Sequence, residues 1–377
     1  MKKTLALILV LPFLFLPFTG NAAGPETNAA SCLLMEKESG TVLFEQNSHQ
    51  KLEPASVTKV MTLLLIMEAL DDGRIKKDDM VTTSTNAAGM GGSQVFLKEG
   101  EQLNVNDMLK AICVASGNDA SVAMAEHLYG SESAFVEQMN LKAAQLGMKD
   151  TSFMNCTGLP AEGHLTSAHD IALMSRELIL KHPGIKEYTT IWMDTLRGGA
   201  FQLANTNKLI YYYSGSTGLK TGSTDKALYC LSATAMRDNM ELIAVVLGSP
   251  TSQIRFDTAK NLLNYGFANY TLQEIKPSEA IPPVVVTLGK VCTVQPVPAN
   301  ESRILMEKSK VSKMRTSISV VESVTAPVEQ GQKLGEMVVY LDDQAFQTIP
   351  LIAKEEIPRL GFFQIYRQML DILFLNA

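Results

Sequence analysis

An α/β fold of the α+β sandwich kind, a mixed sheet with helices packed on it, is what this sequence predicts, followed by a small all-β domain and a terminal amphipathic helix. Three features predict this. From Ser31 to about Tyr270, apolar strand-like runs alternate with helical stretches, and buried helices beside strands need a sheet to pack on. At Ile275 the composition shifts to the proline-bearing "IKPSEAIPPVVV", and from Val284 to Ile352 short alternating runs are cut by turn residues. Between Glu355 and Leu375, Phe362, Tyr366, Met369 and Leu373 recur at helical spacing among polar Gln364, Arg367, Gln368 and Asp371. The expected boundaries are 1–23, 24–273, 274–353 and 354–377.

The first segment, with Lys2 and Lys3, an apolar run from Leu5 to Phe18, then Gly20, Ala22 and Ala23 before Pro25, has the form of a cleaved secretory signal. An uncleaved N-terminal anchor is the alternative, and either places the rest of the chain outside the cytoplasm, in the cell envelope. Next, "SCLLMEKESGTVLFEQN" reads as a hairpin around Gly40. Val60 to Leu70 is a nearly unbroken apolar helix closed by "DDG", and Asn106–Val114 and Asp119–Tyr129 read as two helices separated by "ASGN". "KALYCLSATAMRDNMELIAVVLG" reads as two buried strands joined at "RDN". The terminal helix is too interrupted to span a bilayer; it lies either in the lipid interface or on the preceding domain, and its aromatic content and terminal place favour the membrane surface.

The chain has 377 residues, 46% of them hydrophobic, enough for a large domain and a smaller one. A formal net charge of -6 leaves no basic footprint for nucleic acid. Five cysteines, Cys32, Cys113, Cys156, Cys230 and Cys292, are odd in number and lack CxxC spacing, so buried free thiols are expected rather than disulfides or zinc. Five histidines without HExxH spacing offer no visible catalytic metal site, and no cofactor is implied.

"PASVTKVM" places Ser56 three residues before Lys59 at the first turn of the apolar helix, on one face. Free backbone N–H groups there can stabilise an oxyanion. A serine hydroxyl needs a base, and a lysine amine with a pKa of about 10.4 is charged at neutral pH unless burial and a second cation lower it. That second cation is expected at Lys220, followed by Thr221 and Gly222 at the entry to a buried strand; Gly222 admits a substrate backbone and Thr221 can bond an anion held by Lys220. Between them Ser116 and Asn118, in a short interhelical loop, can place a hydroxyl and an amide on one side, or can simply cap the next helix. Each motif alone is weak; their combination on one chain points to serine catalysis.

This order resembles that of the serine enzymes of β-lactam biology, in which Ser-x-x-Lys, Ser-x-Asn and Lys-Thr-Gly line one cleft. "PASVTKVMT", "ASGNDASVAMAEHLYGSESAFVEQMN", "MNCTGLPAEGHLTSAHDIALMS", "GLKTGSTDKALYCLSATAMRDNMELIAVVLG" and "APVEQGQKLGEMVVY" are similar to the low-molecular-mass penicillin-binding proteins that act as D-alanyl-D-alanine carboxypeptidases. The resemblance implies a five-stranded antiparallel sheet between helical clusters. It implies that Ser56 is acylated by a peptidoglycan stem peptide ending in D-Ala-D-Ala, and by β-lactam antibiotics. It makes Lys59 the base and Ser116 the proton relay. Asn118 would hold the substrate amide, Lys220 and Thr221 the terminal carboxylate, and the N–H groups of Ser56 and Ser223 the oxyanion.

Leu228 stands where this family commonly has glycine, which would narrow the cleft wall, and Cys156 stands where proline is usual, which would put a thiol near the cleft. His164 is expected to anchor its loop rather than act as a base. Two other readings stay open. A β-lactamase shares the motifs, but the middle one here is Ser-Gly-Asn, and "LPAEGHLTSAHD" lacks the Glu-x-x-x-Asn pair that would position a deacylating water. A non-catalytic wall-binding descendant would have no need for Ser56 and Lys59 together.

Overall fold

The computed structural model describes residues 24–299 and 303–375, so the expected leader at 1–23 lies outside the described residues. The hairpin around Gly40 forms as β1 (Ser31–Glu36) and β2 (Val42–Gln46). With β3 (Ser216–Thr224), β4 (Leu228–Arg237) and β5 (Met240–Ser249) it makes a five-stranded sheet in the order β2-β1-β5-β4-β3, every pairing antiparallel.

Of the longer helices, α1 (Lys59–Asp71), α5 (Ala168–Lys181) and α6 (Ser252–Asn269) pack on this sheet, and α2 (Val105–Cys113), α3 (Asn118–Tyr129) and α4 (Glu132–Gln145) form a helical cluster beside them. Helices α2, α4, α5 and α6 each start on a side-chain cap, from Asn104, Ser131, Ser167 and Thr251, that accepts an otherwise unpaired amide. Helix α3 starts without one, so the loop before it is not spent on capping.

Strand side chains alternate between faces, and here both faces are covered, which is why β5 reads as a continuous apolar run. Leu242, Ala244 and Val246 join a core with Phe256, Ala259, Leu262 and Leu263 of α6. Ile243, Val245 and Leu247 join the opposite core with Val60, Leu64 and Met67 of α1 and Ile171, Met174 and Leu178 of α5. Helix α1 is apolar on nearly every side because it runs through the middle of that second core; even Lys59, at its first turn, is wholly buried.

The small domain is all β, as expected. Tyr270–Glu274 runs straight on from α6 and already pairs with Arg303–Glu307, so the chain enters it before the composition shift at Ile275. Its other sheets are three-stranded and four-stranded, closed around Val284, Val286 and Leu334 and around Ile304, Met337 and Leu351.

Two expectations are corrected. The terminal helix, α7 (Phe362–Leu375), begins later than Glu355, because Ile357 is buried and bridges to Val328, and Pro358 follows it. Cys292 is exposed, whereas Cys32, Cys113, Cys156 and Cys230 are buried free thiols. Among the described residues of α7, Phe362, Phe363, Tyr366 and Met369 are exposed, so they do not pack on the β domain. No helix among the described residues is long and apolar enough to cross a membrane.

Leu64→Ala, at a fully buried α1 position, is expected to lower unfolding stability by about 2–5 kcal/mol, read from the urea midpoint at unchanged slope.

Candidate active site

The site begins where the chain turns into α1. Pro54 and Ala55, the latter at φ +47°, lead into a 3-10 turn, Ala55–Thr58, that presents Ser56 half-buried at the mouth of a cleft. Two glycines let neighbouring backbones close on this turn. A Cβ on Gly158, at φ +84°, would lie 1.8 Å from the Ala55 carbonyl oxygen, and one on Gly222 would lie 2.7 Å from the Ser56 nitrogen. The second approach lays β3 against the Ser56 amide, with Ser223 exposed next along the strand.

One turn on, the Lys59 Nζ lies 3.0 Å from Ser56 Oγ, 2.6 Å from Asn118 Oδ1 and 2.7 Å from the Thr157 carbonyl oxygen. The last two oxygens only accept. A neutral amine therefore gives its two protons to them and turns its lone pair to the Ser56 hydroxyl. Burial, and then the charge of Lys220, hold the Lys59 pKa well below its ordinary value.

Asn118 joins the cluster from the start of α3, with its Nδ2 donating to the Gly91 carbonyl at 2.7 Å. Ser116 precedes it at φ +63°, a left-handed backbone that is strained for serine, and its buried Oγ has no hydrogen-bond partner among the described residues. The loop opposite is fixed by Asp119, whose buried carboxylate accepts from Val95 N at 3.1 Å and Leu97 N at 3.0 Å. On β3, Lys220 is buried and donates to the Thr221 carbonyl at 2.9 Å. Residues of all three motifs are thus brought together around the Lys59 amine and the Ser56 turn.

A family model described as D-alanyl-D-alanine carboxypeptidase matches residues 19–251, and a second, described as the penicillin-binding protein 5 C-terminal domain, matches residues 274–359. The chain belongs to the D-alanyl-D-alanine carboxypeptidase family. It is 44% identical to the D-alanyl-D-alanine carboxypeptidase DacF of Bacillus subtilis over 345 residues, 90% of this chain and 88% of that protein. A crystal structure of penicillin-binding protein 5 from Haemophilus influenzae superposes with a TM-score of 0.73 at 32% identity, covering 89% of this chain and 99% of that one. The ampicillin-bound form of penicillin-binding protein D2 from Listeria monocytogenes gives 0.59 at 31%, covering 64% and 98%. The transpeptidase-like sandwich that the sequence implied is the fold of this carboxypeptidase-family member.

Two departures from the family pattern have visible structural settings. Leu228 is exposed at φ +55°, a backbone that glycine adopts without strain. Cys156 is buried, its carbonyl accepting from the Thr62 hydroxyl at 2.7 Å, and burial pushes its thiol up, which leaves it an inert neighbour of Lys59. His164 anchors its loop: Met154 N–H donates to Nδ1 at 3.0 Å, so Nε2–H donates to Thr58 Oγ1 at 2.8 Å, and that hydroxyl passes its own proton to Ala55 O at 2.8 Å. Burial lowers the His164 pKa to about 4, keeping it neutral.

Burial lowers the Lys220 pKa to about 7, helped by Arg255, whose buried guanidinium donates to the Gly222 carbonyl at 3.2 Å. Sequence reasoning missed Arg255, the Thr157 carbonyl, Gly158, Asp119 and Thr206, whose Oγ1 lies 2.6 Å from Thr221 Oγ1. A backbone carbonyl leaves no compositional trace; Asp119, directly after Asn118, was the one member that its place beside a motif could have flagged.

Asp119→Ala removes the acceptor of two buried amides and is expected to cost about 2–4 kcal/mol in thermal or urea unfolding, with protection of the Val95 and Leu97 amides lost in hydrogen exchange.

Proposed function

We propose that Ser56 is the nucleophile through which this protein removes the terminal D-alanine from peptidoglycan stem pentapeptides, and that β-lactams acylate the same oxygen. The observation that carries this is the buried, charge-depressed Lys59 amine 3.0 Å from Ser56 Oγ. Neutral Lys59 takes the Ser56 proton as Oγ bonds to the penultimate D-alanine carbonyl. The oxyanion is received by the N–H groups of Ser56 and Ser223, a reading supported by the close passage of Gly222, the residue before Ser223, against the Ser56 amide.

Ser116, with its hydroxyl unspent, relays the proton from Lys59 to the departing amine, and free D-alanine leaves. Water then attacks the ester carbonyl, gives its proton to Lys59, and Ser56 recovers its own. Asn118 holds the substrate amide once its Gly91 partner is displaced, and Lys220 with Thr221 receives the terminal carboxylate. The steps use side chains and water, without metal or cofactor.

We further assign residues 1–23 to a secretory leader and α7 to the outer face of the cytoplasmic membrane. The first rests on the basic, apolar and small-residue order of the segment, the second on the exposed Phe362, Phe363, Tyr366 and Met369.

The test is D-alanine release from a stem-pentapeptide mimic ending in D-Ala-D-Ala: the mature protein releases it and Ser56→Ala falls by at least about 10³-fold. Release is expected to rise with pH as Lys59 loses its proton, well below pH 10.5, and to fall again as Lys220 loses its own; Lys220→Arg carries the falling limb to higher pH. Release by folded Ser56→Ala at the wild-type rate overturns the assignment.

A chain ending at Lys354 is expected to lose sedimentation with anionic lipid vesicles that the full mature chain shows; equal sedimentation of the two refutes the anchor.

A further inference from the structure

A second concave surface shares no residue with the three motifs. It has a volume of about 570 Å³ and is lined by Phe96, Lys98, Glu99, Gly100, Glu101 and Arg197. Two segments distant in sequence build it: the loop that ends at Glu101, and the tip of the hairpin formed by Met193–Leu196 and Phe201–Ala204.

Phe96 is presented there rather than packed. Its neighbours Val95 and Leu97 are buried, and both of their amides donate to the buried Asp119 carboxylate. The Val95 and Phe96 carbonyls accept from the Arg197 guanidinium at 3.0 and 3.3 Å. Between these fixed points Phe96 stands at φ +57° with 67% of its surface exposed, and Arg197 stands at φ +54°. A left-handed backbone is strained for a side chain of this size, and an open phenyl ring gains little from burial, so neither feature stabilises the fold. Two segments carry the same kind of strain where they meet, and residues held in that way collect where ligands are gripped.

The lining selects among ligands by charge and shape. Arg197 Nε donates to Glu101 at 2.6 Å, and its guanidinium lies 5.4 Å from the centre of the Phe201 ring, which meets Phe96 edge-on at 6.2 Å. Lys98 and Arg197 are balanced by Glu99 and Glu101, so the field favours neither an anion nor a cation. What remains is an open aromatic face bordered by charged donors and carboxylate acceptors. A neutral ring with an apolar C–H face and a rim of hydroxyl and amide groups fits it, which describes an N-acetylhexosamine. The same loop also borders the catalytic centre, because the Ser93 carbonyl, three residues before Phe96, accepts from the Asn118 amide at 2.7 Å.

We propose that the cavity between Phe96 and Arg197 is a carbohydrate subsite, which takes a neutral N-acetylhexosamine of the glycan strand against the Phe96 ring while the stem peptide borne by that strand lies at Ser56. This rests on the carboxypeptidase reading and extends it from the peptide to the polymer that carries it.

The experiment compares wild type, Phe96→Ala and Phe96→Tyr, the last of which keeps an aromatic face. Each is assayed for D-alanine release from a free stem pentapeptide and from the same pentapeptide carried on a short glycan strand. Each is also titrated calorimetrically with chitotetraose, a neutral glycan without peptide, and folding is checked by thermal melting. Loss of the stacking face predicts that Phe96→Ala raises KM on the glycan-borne peptide about fivefold and weakens chitotetraose binding to a similar extent. The KM on the free peptide and kcat on both should stay within about twofold, and Phe96→Tyr should match wild type within about twofold throughout. An unchanged KM on the glycan-borne peptide in Phe96→Ala overturns the proposal. So does an equal rise on both substrates, which would make Phe96 a structural residue, and so does chitotetraose binding that is absent or indifferent to Phe96→Ala. If wild type releases D-alanine from neither substrate, the carboxypeptidase reading fails instead, and the chitotetraose titration alone decides the sugar contact.

Discussion

Everything in the cleft turns on one buried amine. Among the described residues Lys59 has no carboxylate within hydrogen-bond distance; it is held by a hydroxyl, a side-chain carbonyl and a backbone carbonyl. A carboxylate partner would keep it charged, and bulk water would do the same. The domain must therefore seal the first turn of α1 from solvent while leaving Ser56, three residues away, open to it. The rest of the architecture serves that pair of opposed demands.

Sealing is done by backbone approach. Gly158 brings the loop carrying Thr157 onto the Ala55 carbonyl, and Gly222 brings β3 onto the Ser56 amide, in each case closer than a Cβ would allow. The same two contacts that exclude water also deliver chemistry: the first supplies the Thr157 carbonyl to Lys59, the second the strand whose next residue is Ser223. His164 fixes the turn from beneath, relaying hydrogen bonds through Thr58 to Ala55, and burial keeps that imidazole neutral so the relay keeps one direction.

The arrangement is costly in isolation. Lys59, Lys220 and Arg255 gather about β3, each buried and each with its pKa lowered chiefly by desolvation. Structures of this kind persist because a large surrounding core over-determines them. Here that core is the two-sided sheet, with α1 at the centre of one face and α6 covering the other. In the function proposed above, an anionic chain terminus would meet Lys220 and the Thr221 hydroxyl, so the charge gathered there would favour it.

Alternation of strand and helix, the two-sided apolar run of β5, the hairpin at Gly40 and the three motifs with their spacing were all determined by the sequence itself, because each is a local pattern that periodicity or a turn residue betrays. The burial of α1 was legible in the same way, as an apolar helix without a polar face. Tertiary structure alone decided which atoms meet Lys59, since Asn118 and the Thr157 carbonyl are brought in from distant segments and a carbonyl has no residue signature. It also decided that Tyr270–Glu274 belongs with the β domain, that α7 waits until Phe362, and that Thr206 stands beside Thr221, because pairing and burial across the chain outweigh local composition.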